Sequence, residues 1–210
     1  MSGFPEVKLP IRTERLELRL PRDPDARALS RAGDHPEVSR GTYVPHPFGP
    51  DAARRNIRRL RSAAGGRALP LLIVERGTRT PIGLVGLGSV NRRDRSAELF
   101  YWVSPDRWGL GLAHEAASAV LGIAFGPLGL HRVSATAHTF NARSLRLLRR
   151  LGFRREGRER ESRREGRVWH DALRFGLLER EHRRGVALAR SHTRAGRPAE
   201  GSPVSSRKPS

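Results

Sequence analysis

Ala97-Glu98-Leu99-Phe100-Tyr101-Trp102-Val103-Ser104-Pro105-Asp106-Arg107-Trp108-Gly109-Leu110-Gly111-Leu112-Ala113-His114-Glu115-Ala116-Ala117 holds more structural information than any other segment of the chain. An apolar and aromatic run reads as a strand, a Pro-containing turn follows, and two glycines open a helix. Small residues at 109, 111 and 113 let a ligand approach the backbone closely, and unpaired N–H groups at a helix start bind phosphate. The spacing leaves two readings open, a pyrophosphate cradle or tight packing of the helix on its sheet. It lacks the Gly-Lys-Ser/Thr of a P-loop and the Gly-x-Gly-x-x-Gly of dinucleotide folds, which argues against ATP and NAD.

Working outward, Leu16, Leu18 and Leu20 alternate with Glu17 and Arg19 as in a half-buried strand. Asp23-Pro24 and Pro50-Asp51 each mark a helix start, the second helix carrying Ala53, Ile57, Leu60 and Ala64 on one stripe before Gly65-Gly66. Leu69–Glu75, Ile82–Val90 and Ala97–Val103 are short runs at close spacing, predicting an antiparallel meander. A helix from about Leu110 to Phe125 ends at Gly126-Pro127 and leads into an alternating strand, His131–Ala137. Asn141 precedes a helix with Leu145, Leu148 and Leu151 in line, ended by Gly152, and two last strands meet around Glu165-Gly166. The sum is a mixed α+β domain whose central strand runs directly into a glycine turn and a helix.

Composition sets outer bounds. The chain has 210 residues, 37% of them hydrophobic, enough for a packed core. With no cysteine there is no disulfide scaffold, thiolate metal site or cysteine nucleophile, which fits a reducing cytosol. The longest uncharged stretch, Ala116–Leu130, is short for a membrane span, and the amino terminus lacks a signal-peptide apolar core, so a cytoplasmic protein with no membrane partner is expected. No histidine pair has metal-ligand spacing, so no metal is expected. Lys and Arg total 41 against 21 Asp and Glu, a net charge of +20, and all but Lys8 and Lys208 of the basic residues are arginine. That field attracts RNA, ribosomes or acidic protein surfaces, although a genome biased toward arginine produces the same composition. From Arg183 to Ser210 large apolar side chains almost vanish, and a disordered basic tail is expected beyond a domain of residues 1–182.

At this point the sequence resembles the GNAT superfamily of acyl-CoA-dependent N-acetyltransferases, in particular its RimJ/RimL-type branch of ribosomal-protein N-terminal acetyltransferases. The resemblance spans about Leu9 to Glu181 and rests on pieces in one order. They are Arg12-Thr13-Glu14-Arg15-Leu16, Tyr101-Trp102-Val103, Trp108-Gly109-x-Gly111-x-Ala113-x-Glu115-Ala116, Asn141-x-x-Ser144 and Leu151-Gly152-Phe153 before Glu156-Gly157. Trp108 replaces the Gln or Arg that begins the general GNAT motif, a change compatible with this branch.

The resemblance implies a GNAT fold: a central mixed, mostly antiparallel twisted sheet flanked by helices, with splayed central strands. It implies acetyl-CoA as co-substrate, acyl-pantetheine on backbone groups near Trp102 and Val103, and the pyrophosphate on amides of the Trp108-Gly109-Leu110-Gly111-Leu112-Ala113-His114 segment. Asn141 would bond the pantetheine arm, a role compatible with capping a helix. Many members carry a tyrosine acid seven residues after this asparagine; Leu148 stands there, and Ser144 is the branch's acid or thiolate donor. From strand parity, Glu98 shares a face with Phe100 and Trp102 and is the candidate base, against an outward carboxylate paired with Arg92, Arg93 or Arg95. Glu161 and His138 are weaker base candidates, and His170-Asp171 reads as structural because adjacent strand residues face opposite ways.

The reaction so implied is acetyl transfer to a primary amine, most simply a protein N-terminus, by direct attack on the thioester. Alternatives are a small-amine acetyltransferase acting on an antibiotic or polyamine, and a non-catalytic ribosome- or nucleic-acid-associated module. Partners expected are acyl-CoA, the amine acceptor and a ribosomal or acidic-protein surface, with the chain a monomer or homodimer.

Overall fold

A computed structural model describes residues 4, 6–64 and 66–195. Eight strands make one sheet: β1 (Ile11–Arg12), β2 (Leu16–Arg19), β3 (Leu69–Glu75), β4 (Thr80–Asn91), β5 (Ser96–Val103), β6 (Arg132–His138), β7 (Arg154–Glu165) and β8 (Val168–Leu178). Their spatial order is β1-β2-β3-β4-β5-β6-β8-β7, antiparallel throughout except between β5 and β6. The helices are α1 (Ala26–Gly33), α2 (Pro36–Gly41), α3 (Pro50–Ala63), α4 (Leu112–Phe125), α5 (Ala142–Arg150) and α6 (Glu179–Ala195). This is the mixed, mostly antiparallel α+β architecture expected.

Helices on both faces explain why β3 and β4 read as almost continuous apolar runs rather than as alternations. The larger core lies under α4, where Ala116, Ala117, Val120, Leu121 and Ala124 pack on Leu71, Val85, Leu99 and Val133. The smaller core, under α1 and α3, joins Leu29, Phe48 and Ile57 to Leu72, Leu84 and Trp102. Phe48 is central to it: fully buried, with its N–H donating to Asp34 Oδ1 at 2.6 Å and its carbonyl accepting from Ser30 Oγ at 2.7 Å. Phe48→Ala should cost about 3–5 kcal/mol through the cavity it leaves. A urea midpoint within error of wild type would show that the small core is dispensable.

The feature that positions the site is the divergence of the parallel pair, the only one among the described residues. β5 and β6 are in register over Ser96–Glu98 and Arg132–Ser134, and the ladder stops there. β6 continues to His138 paired with β8 on its far side, while β5 continues to Val103 paired with β4. A gap therefore opens between their C-terminal halves.

Several elements depart from the sequence reading. The two-residue β1 and the short α2 were not anticipated; α2 begins at Pro36, with Glu37 in its first turn. Asp23–Asp25 form a 3-10 turn, and α1 starts only at Ala26, because the Asp25 carboxylate accepts the Arg22 N–H at 2.7 Å and is gripped by Arg19 at 2.7 and 2.8 Å. The expected tail is helical as far as Ala195; its remainder, 196–210, lies outside the described residues. Acidic Glu179 and Glu181 suit a helix start, Glu181 Oε2 accepts the Leu178 N–H at 3.1 Å, and Arg183 pairs with Glu179 one turn back at 2.7 Å. The His182 ring lies 4.9 Å from that of Phe125, tying the first turn of α6 to the end of α4.

Candidate active site

Three elements meet where the strands part: the loop from Ser104 to Gly111, the start of α4 and the start of α5. The loop is held locally. Ser104 Oγ donates to Asp106 Oδ1 at 2.7 Å, and the Trp108 indole N–H donates to the Val103 carbonyl at 2.8 Å. Gly109 and Gly111 have φ of +79° and +78°, a conformation that a residue with a β-carbon adopts only under strain. Gly111 is the N-cap of α4 and has no side chain with which to cap it; its carbonyl takes the first helical bond, from Glu115 N–H. The amides of Leu112, Ala113 and His114 are thus the helix's unclaimed donors, backed by the positive end of its dipole.

A clasp from the amino-terminal segment fixes this helix start. Glu115 receives the Thr13 hydroxyl at 2.6 Å, the Arg15 N–H at 2.9 Å and Arg15 Nε at 2.7 Å, while Arg15 Nη1 donates to the Leu110 carbonyl at 2.8 Å. Burial pushes the Glu115 carboxyl up, but the bonds from Thr13 and Arg15 outweigh it and hold the group below its ordinary range. Neutralising the clasp with Glu115→Ala should cost about 2 kcal/mol. Because the folded-state pKa is depressed, this contribution is complete above the unfolded carboxylate pKa and fades as pH falls through the folded one. The gap in urea midpoint between wild type and variant should therefore narrow in acid; a gap independent of pH would refute the charge-based account. Beside the clasp is a cavity of about 620 Å³ lined by Thr13, Gly111, His114, Ser118 and Arg150 among others. Burial, then the charge of Arg150, lowers the His114 pKa, and Arg15 and Arg150 both line this cavity.

On the opposite side of the gap, Asn141 caps α5 by accepting the Ser144 N–H at 3.0 Å. Ser144 Oγ is 2.7 Å from the Tyr101 hydroxyl, a bond that links β5 to α5 on the α4 side of the sheet. Arg143 stacks over Trp108, its guanidinium 4.1 Å from the ring centroid, joining the α5 start to the cradle loop. The structure therefore brings Ser144 and Asn141 together with the glycine loop. Glu98 lies on the other face, half-buried, accepting from Thr136 Oγ1 at 3.3 Å.

The register changes the assignment of the strand's backbone. Ser104 N–H bonds to the Ile82 carbonyl at 2.8 Å, so by two-residue alternation the Trp102 backbone faces Leu84 of β4 while Tyr101 turns its N–H and C=O, and Val103 its N–H, to the gap, the Val103 carbonyl being held by the Trp108 indole. Of the expected pair Trp102 and Val103, only Val103 has its backbone on the gap side, and Tyr101 joins it there. The Trp102 side chain is a core group, buried against Gly33 and the smaller core.

The far wall comes from β6, β8 and α2. His138 stacks on Phe140 with ring centroids 5.4 Å apart, and Phe140 meets the His170 edge at 4.8 Å. Arg40 covers Phe140 at 4.7 Å and pairs with Glu165 at 3.0 Å. His138 Nδ1 is buried without a partner, and burial, with Arg163 and His170 nearby, lowers its pKa. Asp171 belongs to a separate network on β7, taking Arg158 and the Glu161 N–H, which agrees with reading His170-Asp171 as structural. Glu161 itself sits at the β7 irregularity with a positive φ of 49°.

Sequence reasoning assigned no role to Thr13, Arg15 and Glu115, although it used them as motif residues, and it missed Tyr101 as the partner of Ser144. Linear order gave no sign that residues about 100 positions apart form one clasp.

A parallel pair parting above an uncapped, glycine-started helix is the arrangement implied by the resemblance to acyl-coenzyme A-dependent N-acetyltransferases. The chain belongs to the GNAT acetyltransferase family: the description "Acetyltransferase (GNAT) domain" matches residues 15–154. Among its relatives, the uncharacterized N-acetyltransferase YoaA of Bacillus subtilis (strain 168) is 32% identical over 151 residues, 70% of this chain and 84% of YoaA. The uncharacterized N-acetyltransferase p20 of Bacillus licheniformis is 31% identical over 81% of this chain and 96% of p20. Among solved structures, Mycobacterium smegmatis RimJ in complex with CoA-disulfide superposes with a TM-score of 0.73 at 29% identity, covering 83% of this chain and 90% of RimJ. The chain is an N-acetyltransferase of this family. No helix among the described residues is long and apolar enough to cross a membrane.

Proposed function

We propose that this enzyme moves the acetyl group of acetyl-CoA to a protein N-terminal amine, of the kind carried by ribosomal proteins. The observation that carries the coenzyme part is the gap between β5 and β6 opening directly onto the unclaimed amides of α4. Leu110–His114 amides, with Gly109 and Trp108 shaping the loop, would take the pyrophosphate, and Arg150 a further phosphate. Tyr101 and Val103 would pair with the pantetheine, and the Asn141 side-chain amide would donate to it. The acceptor nitrogen then attacks the thioester carbon from the far face. Glu98 accepts its proton directly or through water, and Ser144 donates to the departing thiolate.

Charge supports the choice of acceptor. A net +20 repels polyamines and aminoglycosides and favours an amine on an acidic or neutral partner, and Arg40 and Arg163 stand at the aromatic far wall. The catalytic domain on this reading is 1–182, which keeps His182 on Phe125, and 183–210 is an appendage to it. Thiol release should be measured with acetyl-CoA and peptides beginning Ser, Ala or Thr, alongside spermidine and an aminoglycoside. Turnover on acidic peptides is expected, with kcat/KM falling about tenfold from about 50 mM to about 500 mM salt. Preference for spermidine would overturn the acceptor, and indifference to salt would remove the electrostatic reason for it.

A further inference from the structure

Tyr101 occupies an unusual place. It is the third residue of β5 beyond the last one paired with β6, so its backbone borders the gap. Its ring, half-buried, packs against the larger core on the α4 face, and its hydroxyl crosses to the first turn of α5. Burial pushes its phenol up to about 12, a rise the bond to Ser144 only partly offsets, so the side chain stays a neutral O–H through the enzyme's working range.

A buried phenol hydrogen needs an acceptor. Two are in reach, Ser144 Oγ at 2.7 Å, a contact in which either hydroxyl can be the donor, and the Ser144 carbonyl at 3.5 Å. With the phenol as donor, Ser144 Oγ is the acceptor and its own hydrogen turns elsewhere. Asn141 already holds the Ser144 N–H, which fixes the backbone and with it the base of this side chain. In that arrangement the Ser144 hydrogen is free for a group bound in the gap.

We propose that Tyr101 is the positioning residue of the leaving-group step: by donating to Ser144 Oγ it aims the Ser144 hydroxyl hydrogen at the coenzyme sulfur. The inference rests on the acetyl-CoA reading above. In the step itself the acceptor nitrogen forms a bond to the acetyl carbon and loses a proton to base or water, and the carbon–sulfur bond breaks with its electron pair on sulfur. The thiolate accepts the Ser144 hydrogen bond, later takes a proton from solvent and leaves as thiol. Tyr101 is neither ionised nor consumed. Polarised by the phenol, the Ser144 O–H is a stronger donor than serine alone.

Two measurements test this. In the first, the affinity of free CoA is followed by calorimetry from about pH 7 to about pH 9.5, with acetyl-CoA, which has no thiol to ionise, as the control. A donor aimed at sulfur favours the bound thiolate, so wild-type affinity for CoA should rise about fivefold more than that for acetyl-CoA across this range. Tyr101→Phe and Ser144→Ala should lose most of that excess while binding acetyl-CoA as wild type does. In the second, kcat of Tyr101→Phe should fall about tenfold, with KM for acetyl-CoA within a factor of about two, and the substitution should be silent in a Ser144→Ala background. Tyr101→Phe keeps the buried ring, and a melting curve checks its fold. An undiminished excess in Tyr101→Phe, or rate losses that simply multiply in the double variant, would overturn the assignment. Absence of acetyl-CoA binding by folded wild type would instead strike down the coenzyme reading beneath it.

Discussion

Replacing Gly111 by valine should weaken acetyl-CoA binding about 100-fold while leaving a folded protein, an effect that combines backbone strain with loss of the anion site. At φ +78° glycine holds the turn that starts α4, and a β-branched residue is penalised there by about 1–2 kcal/mol. Relief of that strain rotates the peptide units on either side and withdraws the amides of Leu112 to His114 from their common direction. The Thr13–Arg15–Glu115 clasp resists the rotation, since Arg15 is bonded to both Leu110 and Glu115, so the cost falls on the cradle rather than on global stability. Calorimetric titration of acetyl-CoA into wild type and variant measures the change directly. Equal affinities would mean that the α4 start is packing alone and that the coenzyme phosphates lie elsewhere.

The second large effect is expected at Ser144. Ser144→Ala should reduce kcat about 100-fold, the scale of losing one donor to a charge that develops in the transition state, with KM for acetyl-CoA nearly unchanged. The helix will not suffer, because its cap is the Asn141 carbonyl oxygen on the Ser144 N–H, a bond alanine keeps. The vacated oxygen site sits against Tyr101, whose hydroxyl is left with the Ser144 carbonyl at 3.5 Å, too far to restore the donor. Single-turnover acetyl transfer separates this from slow product release. A variant with wild-type turnover would remove Ser144 from the chemistry and leave solvent to protonate the thiolate.

Much of the fold was legible in advance because the governing signals are local. The leucine alternation at 16, 18 and 20, the Pro50 helix start, the Gly126-Pro127 stop and the Asn141 cap each act within one turn or one strand, and all correspond to observed elements. The extent of α6 was misjudged for a related reason. Composition counted the missing apolar side chains beyond Arg183, whereas helix formation there begins with the Glu179–Arg183 pairing and the seat of His182 on Phe125. The 3-10 turn before α1 escaped notice because it depends on Asp25 being gripped by Arg19 from a different strand.

The order of residues along the chain alone determined that a strand feeds a glycine-started helix and that an asparagine-capped helix follows the next strand, since backbone conformational preference and period are properties of neighbouring residues. It also determined the net charge of +20. Only the tertiary structure decided where β5 leaves β6, that Tyr101 rather than Trp102 faces the opening, that Tyr101 meets Ser144, and that Thr13 and Arg15 lock Glu115. Those are meetings of segments far apart in the chain, and their geometry follows from strand register and from which face each side chain buries, neither of which a local pattern encodes.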